Sequence, residues 1–281
     1  MVTSSTQTTQ LSAGRAKQWL KDTAVSAAQP IINTYAPISL QEMADVALLN
    51  RHDTKFVLTA DTLLDALTGL STEYRVLEVA GVRLNHYQTL YFDTPDFALY
   101  QRHHAGATDR YKVRARAYVE SDMSFIEVKH KTNKKRTIKE RLQTPQLVTS
   151  VDWETAVFLG HHYPYDAAQL VPKLWNSFTR ITLVNTRQAE RLTLDFDLAF
   201  HWGRRQIALP GVTIAEVKQE GYSADSQFIR HIRSLHARPS SFSKYCLGAS
   251  LVYPHLKQNN FKPQQLLIQK LLSGGYHDHS H

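Results

Sequence analysis

The run DRYKVRARAYVESDMSFIEVKHKTNKKRTIKERL, from Asp109 to Leu142, decides how the rest of the chain is read. Between Arg110 and Arg141 it holds eleven Lys or Arg and four acids, Glu120, Asp122, Glu127 and Glu140. Arg110, Lys112, Arg114 and Arg116 recur at every second position. Side chains alternate between the faces of a strand, so all four point one way while Tyr111, Val113 and Ala115 point the other. Phe125 to Lys131 alternates again and puts Glu127, Lys129 and Lys131 on one face. After a polar turn at 132–135, Thr137, Lys139 and Arg141 share a third. An open sheet would show such faces to water, which keeps it soluble and protects its edges. A closed barrel would instead turn them toward a lumen whose charge only a polyanion neutralises.

Working outward, the chain has 281 residues, 42% hydrophobic content and a net charge of +8 with a pI near 9.5. That length supports one large domain, and the basic balance points to an anionic partner. A single cysteine, Cys246, excludes an intramolecular disulfide and reads as a buried structural thiol. No apolar run approaches the roughly 18–20 residues needed to span a bilayer, and no signal-peptide core is visible. A soluble cytoplasmic protein is expected.

The sequence predicts an N-terminal tail over 1–38, partly disordered or helical, a single domain over 39–256, and a loop-like C-terminal tail over 257–281. Ser39-Leu-Gln-Glu42 fits a capping box opening a short helix, and Thr59-Ala-Asp61 opens another. Strand-like runs follow at 50–58, 74–79, 86–93, 109–119, 124–131, 137–142, 173–185, 190–200 and 212–218. Helices are expected at 149–159, 226–235 and 243–251. In the second half Arg191, Thr193, Asp195 and Asp197 share a strand face, as do Glu216 and Lys218. Carboxylates thus recur beside cations, the mixture that a site for several phosphates and a divalent metal needs. Tyr91 and Asp93 read as packing and turn residues, and His52, His86 and His130 as ordinary polar positions. Few aromatics interrupt the cationic positions, which argues against a nucleic-acid partner.

Seven short motifs then resemble, in order, the VTC domain, the polyphosphate polymerase domain of the vacuolar transporter chaperone family. They are Tyr91-Phe-Asp-Thr94, Lys112-Val-Arg-Ala-Arg116, Glu127-Val-Lys129, Lys139-Glu-Arg141, Leu194-Asp-Phe-Asp197, Glu216-Val-Lys218 and Ser243-Lys-Tyr245. The resemblance spans about residues 40–254 and places the chain beside the triphosphate tunnel, or CYTH-like, superfamily. It implies a mainly β, α+β fold: a closed eight-stranded antiparallel β-barrel tunnel with flanking helices. It also implies Mn²⁺ or Mg²⁺ as cofactor, with ATP and inorganic polyphosphate or pyrophosphate as partners. Carried over by position, Arg114, Arg116, Lys129 and Arg180 resemble the catalytic cations. Lys55, Lys112, Lys139, Arg141, Lys218 and Lys244 resemble substrate-binding residues, and Glu216 and Glu127 the metal ligands. The Glu-x-Glu-x-Lys signature of the hydrolytic members is absent, since the first strand reads Asn50-Arg-His-Asp-Thr-Lys55. The expectation is therefore transfer of the ATP γ-phosphate to a polyphosphate chain. A triphosphatase on the same fold and a non-catalytic polyphosphate-binding module are the alternatives.

Overall fold

A computed structural model describes residues 24–45, 51–134, 136–221 and 226–273. Helix α1 (Ala24–Asn33) is followed by β1 (Pro37–Ile38), α2 (Leu40–Asp45), β2 (Arg51–Thr59) and α3 (Ala60–Thr68). The capping box forms as its spacing requires: Glu42 N–H donates to Ser39 Oγ at 3.2 Å and Ser39 N–H to Glu42 Oε2 at 2.9 Å. Thr59 caps α3 by accepting from Thr62 N–H at 3.1 Å. Strands β3 (Tyr74–Leu77) and β4 (Asn85–Asp93) lead into α4 (Ala98–His104). The basic run then forms β5 (Arg110–Tyr118), β6 (Met123–Lys131) and β7 (Thr137–Thr144). Helix α5 (Trp153–His162) precedes β8 (Val171–Asn185), β9 (Glu190–Trp202), β10 (Arg205–Ala208) and β11 (Val212–Glu220), and the chain closes with α6 (Gln227–Ser234), α7 (Lys244–Val252) and α8 (Lys262–Leu272).

The eight-stranded closed barrel is not what forms. The described strands make one eleven-stranded sheet, whose main path of eight runs β2-β11-β9-β8-β4-β5-β6-β7. Strands β3 and β10 attach to β8 and β9, and β1 pairs with β3 in parallel. Among the described residues β2 and β7 do not pair. The free edge of β2 is met by the loop before α7, where Ser240 N–H donates to Lys55 C=O at 2.8 Å. Charged side chains line the exposed β7, which is how edges are protected from further pairing.

The outer face of the sheet buries apolar residues under helices, with α1, α3 and α6 over one half and α5 over β4–β6. The inner face is charged along part of its length and apolar along the rest. There Val57, Leu174, Phe178, Leu198, Phe200 and Ile214 pack under α7 and α8. Helix α8 lies in the segment expected to be a tail, and its Ile268 and Leu271 are buried. Pro263 in its first turn was the available signal.

A bulge produces the change along β9. The register of β8 with β9 slips between Ser177 and Thr179, and Asp197 opposite takes φ 51°. An extra residue reverses the alternation. Leu198 and Phe200 therefore join the inner apolar cluster while Leu192, Leu194 and Phe196 face the outer one. Asp197 accordingly leaves the face of Asp195, contrary to the strict alternation of the sequence. Helix α7 comes so close to this apolar seat that a Cβ on Gly248 would lie 2.4 Å from Phe200 Cδ1 and 2.8 Å from Leu174 Cδ2. Gly248→Ala is expected to destabilise the fold by about 1–3 kcal/mol through overpacking. Urea denaturation checks this, and unchanged stability would mean that α7 does not press on Phe200.

Candidate functional site

The unbulged β5–β6–β7 ladder holds its charged alternation in register. Lys112 stands opposite Lys129, Arg114 opposite Glu127, Glu127 opposite Arg141, and Lys129 opposite Lys139. Across the sheet, Lys55 pairs with Glu216, Lys218 with Arg191, and Arg180 with Asp195. The two halves curve toward each other: Lys129 on β6 lies within electrostatic reach of Glu216 on β11 and Lys55 on β2. At one mouth a cavity of about 600 Å³ is bordered jointly by Phe125, Arg141 and Gln143 from one side and Arg180, Thr193 and Lys218 from the other. The sheet is a trough, open at its seam, and all twelve residues expected at the site lie along it.

Three carboxylates organise the charge, each bracketed by two cations. Glu127 accepts from Arg114 Nε at 2.6 Å and pairs with Lys139. Asp195 is held by Arg180 at 2.6 and 2.8 Å and by Lys244 of α7. Glu216 meets Lys55 Nζ at 2.7 Å and Lys218 Nζ at 3.6 Å. Burial alone would raise the pKa of all three, but the cations outweigh it and hold each well below the usual carboxylate range. Five of these six cations are held closely by their carboxylates, and Lys218 more loosely.

Four more are not. Among the described residues Lys112, Arg116, Lys129 and Arg141 have no carboxylate ion-pair partner. Lys112 donates to Ser243 Oγ at 2.8 Å and Arg116 to Thr89 Oγ1 at 3.2 Å. Arg116 also lies 5.5 Å from the Tyr87 ring and 5.9 Å from Phe178, and Arg141 stacks 4.6 Å from Phe125. These aromatics on the inner face were missed by sequence reasoning. The recoverable signal was Phe178-Thr-Arg180, an aromatic and a cation two residues apart on one strand face. Cation–π contacts hold a guanidinium without neutralising it. Burial, with the charges of Lys112 and Arg114, drives the Lys129 pKa down to about 7. Arg116 is buried and Lys112 and Lys129 are half-buried, where a cation without a carboxylate partner is costly and a polyanion would relieve it; Arg141 is exposed at the rim.

The donors suit a divalent metal in one limited way. Among the described residues no three of His, Cys, Asp and Glu gather into a metal cage. The Glu216 side chain is 18% exposed and its contact with Lys218 is loose, so it could serve as one ligand of an ion otherwise held by phosphate and water, the usual pattern for Mg²⁺. Glu127 is 1% exposed and enclosed by Arg114 and Lys139, which suits charge bracing better than ligation.

The remaining residues have structural partners. Tyr91 packs 5.0 Å from Tyr245, and Asp93 is fully buried beneath α4. His86 pairs with Glu120 and His130 with Asp109, both at 2.5 Å, while His52 lies 3.2 Å from Thr54 Oγ1. Cys246 is buried, as expected. No described helix is long and apolar enough to cross a membrane.

A curved antiparallel sheet whose inner face carries carboxylate-braced and unpaired cations defines a domain built around a cationic trough. The chain belongs to the VTC domain family, whose profile matches residues 50–253. Among solved structures, a proposed adenylate cyclase from Vibrio parahaemolyticus is 15% identical, covering 70% of this chain and 97% of its own, with a TM-score of 0.42. A proposed adenylyl cyclase from Hippeastrum, described as having a dominant triphosphatase activity, is 14% identical over 71% of this chain and 95% of its own, with a TM-score of 0.41. A further proposed adenylate cyclase, from Bacillus halodurans, is 12% identical over 69% and 96%, with a TM-score of 0.42. No curated protein matches the chain.

Proposed function

We propose that this protein is a polyphosphate polymerase that transfers the γ-phosphate of ATP to a growing inorganic polyphosphate chain along its trough. The observation that supports this most is the set of four unpaired cations, Lys112, Arg116, Lys129 and Arg141, on the face that also carries three carboxylates each braced by two cations. Phosphoryl transfer asks for alignment and charge stabilisation rather than covalent chemistry from the protein. Arg114, Arg116 and Lys129 hold the triphosphate, while Arg180, Lys139 and Lys244 align the acceptor. Lys55, Lys112, Arg141 and Lys218 extend the phosphate path. The acceptor's terminal phosphate oxygen attacks the γ-phosphorus, the bond to the β-phosphate oxygen breaks, and ADP leaves. No general base is needed because the nucleophile is already an anion. Mn²⁺ or Mg²⁺, held by Glu216 together with phosphate oxygens, would neutralise charge on the leaving diphosphate.

The test is incubation with ATP and Mn²⁺, with and without pyrophosphate, beside a Glu216→Gln control. Long chains with ADP, absent with the variant or after chelation, are expected. Free phosphate with ADP and no chains would replace the polymerase by a triphosphatase. Intact ATP despite binding would leave a binding module.

Lys129 gives a second expectation. Its amine is charged below about pH 7 and neutral above, so tripolyphosphate binding should weaken as pH rises through that value. Binding should also take up a proton, since the anion favours the ammonium form. Calorimetry in buffers of different ionisation enthalpy checks both effects. A profile unchanged in Lys129→Met would show that another group is responsible.

A further inference from the structure

Helix α7 is tied to three strands by three consecutive residues at its start. Ser243 Oγ accepts from Lys112 Nζ of β5 at 2.8 Å, Lys244 pairs with Asp195 of β9, and the Tyr245 hydroxyl donates to Asp93 at the end of β4. The first two contacts belong to the charged trough; the third does not. Asp93 is 0% exposed, and its other acceptor positions are filled by the N–H groups of Thr94, Leu99 and Tyr100 at 2.8–2.9 Å. The Tyr245 ring is wedged between Tyr91, 5.0 Å away, and Tyr100, 6.4 Å away.

Packing fixes only coarsely how α7 is turned about its own axis. Seven of its nine residues, Tyr245 to Ser250 and Val252, are buried, so it has no single apolar stripe to set its orientation. Successive helical side chains diverge by about 100°, and a small rotation would carry Lys244 away from Asp195. Outside the trough, Arg205 and Gln265 contact Val252 and Ser250 toward the far end of α7, and the directional contact beside Lys244 is the Tyr245–Asp93 hydrogen bond. Gly248, pressed against Phe200 and Leu174, sets the depth of the helix and limits its turn coarsely, since only this Cβ-less face fits the seat.

We propose that Asp93 and Tyr245 are positioning residues of the phosphate site: their buried hydrogen bond sets the orientation of α7 and so holds Lys244 and Lys112 where the phosphate chain passes. The inference rests on the phosphate-binding reading of the trough. It joins two motifs, Tyr91-Phe-Asp-Thr94 and Ser243-Lys-Tyr245, whose bonded residues Asp93 and Tyr245 are 152 positions apart in the chain.

The protein carries its own reporter. Cys246, its single cysteine, follows Tyr245, is 1% exposed and borders a cavity of about 340 Å³ shared with Lys112 and Ser243. Tyr245→Phe keeps the ring and removes the hydroxyl; Asp93→Asn keeps the shape and removes the charge. In both variants, Cys246 labelling by a thiol reagent under native conditions is expected to rise about tenfold or more, as fits loss of a bond to a buried carboxylate. Tripolyphosphate affinity, measured by calorimetry, is expected to fall in Tyr245→Phe about as far as in Lys244→Met, and no further in the double variant. Labelling that rises only as far as global stability falls, or losses that multiply in the double variant, would reduce the pair to ordinary packing and overturn the proposal. A wild-type protein that does not bind tripolyphosphate would overturn the phosphate reading, and with it the positioning role, whatever the labelling shows about the helix.

Discussion

Asp195→Asn is expected to destabilise the protein by about 3–5 kcal/mol, the largest loss of stability among substitutions at the site. The Asp195 side chain is 3% exposed and takes a two-pronged contact from Arg180 at 2.6 and 2.8 Å together with the Lys244 ammonium. Asparagine fills the same space but leaves both cations without their contacting counter-charge, with Glu216 acting on Arg180 only through space. Arg180 also lies against the stacked Tyr87 and Phe178 rings, whose centroids are 5.0 and 5.1 Å from its guanidinium, and only 14% of its side chain is exposed, at the edge of the cavity. The carboxyl pKa is lowered in the folded state. Its contribution is therefore fully present above the unfolded value of about 3.9 and is lost as pH falls through the lower folded value. Urea denaturation at neutral pH measures the loss. Tripolyphosphate should stabilise the variant more than the wild type, because it supplies the missing anion. A loss below about 1 kcal/mol, the scale of an exposed pair, would contradict this account of the charge.

Arg116 should behave in the opposite way. Its side chain is buried at 6% exposure, yet it rests on Thr89 and two rings rather than on a carboxylate. Arg116 reaches Glu127 only through space, so Arg116→Met removes a buried charge with no direct carboxylate contact while keeping an apolar stem, and stability should hold to within about 1 kcal/mol. Tripolyphosphate affinity, by contrast, should fall about 10- to 100-fold, the worth of one or two charge-assisted hydrogen bonds. The contrast separates bracing from binding. Lost stability with affinity unchanged would make Arg116 a structural cation and remove a main support for the phosphate reading.

The parts of the fold that were legible share one physical property: strict local periodicity. Between Arg110 and Thr144 the strands pair without a bulge, so alternation in the sequence becomes a charged face in space. Caps at Ser39 and Thr59 were legible because the bond they make closes within three residues. Features that depend on distant partners were not. The bulge at Asp197 reverses the face of Leu198 and Phe200, and it answers to the packing of α7 rather than to neighbours in the chain. Closure of the sheet depends on whether β2 and β7 meet, which residue types do not state. Strand β1 is two residues long and β10 four, too short for a period to show. At the site, residue identities came from resemblance and alternation together. Which cations are braced and which are unpaired emerged only when strands 161 residues apart, as with Lys55 and Glu216, were brought side by side.

The central claim is that the unpaired cations of the trough receive a phosphate chain. Diffraction from crystals of the protein with inorganic tripolyphosphate tests it most directly. The expected result is one chain inside the trough, with phosphate oxygens within hydrogen-bond distance of Arg116 and Lys129 and the Glu127 and Asp195 pairs intact. Tripolyphosphate found only on the outer surface, with Arg116 still resting on Thr89 and Lys129 untouched, would contradict it.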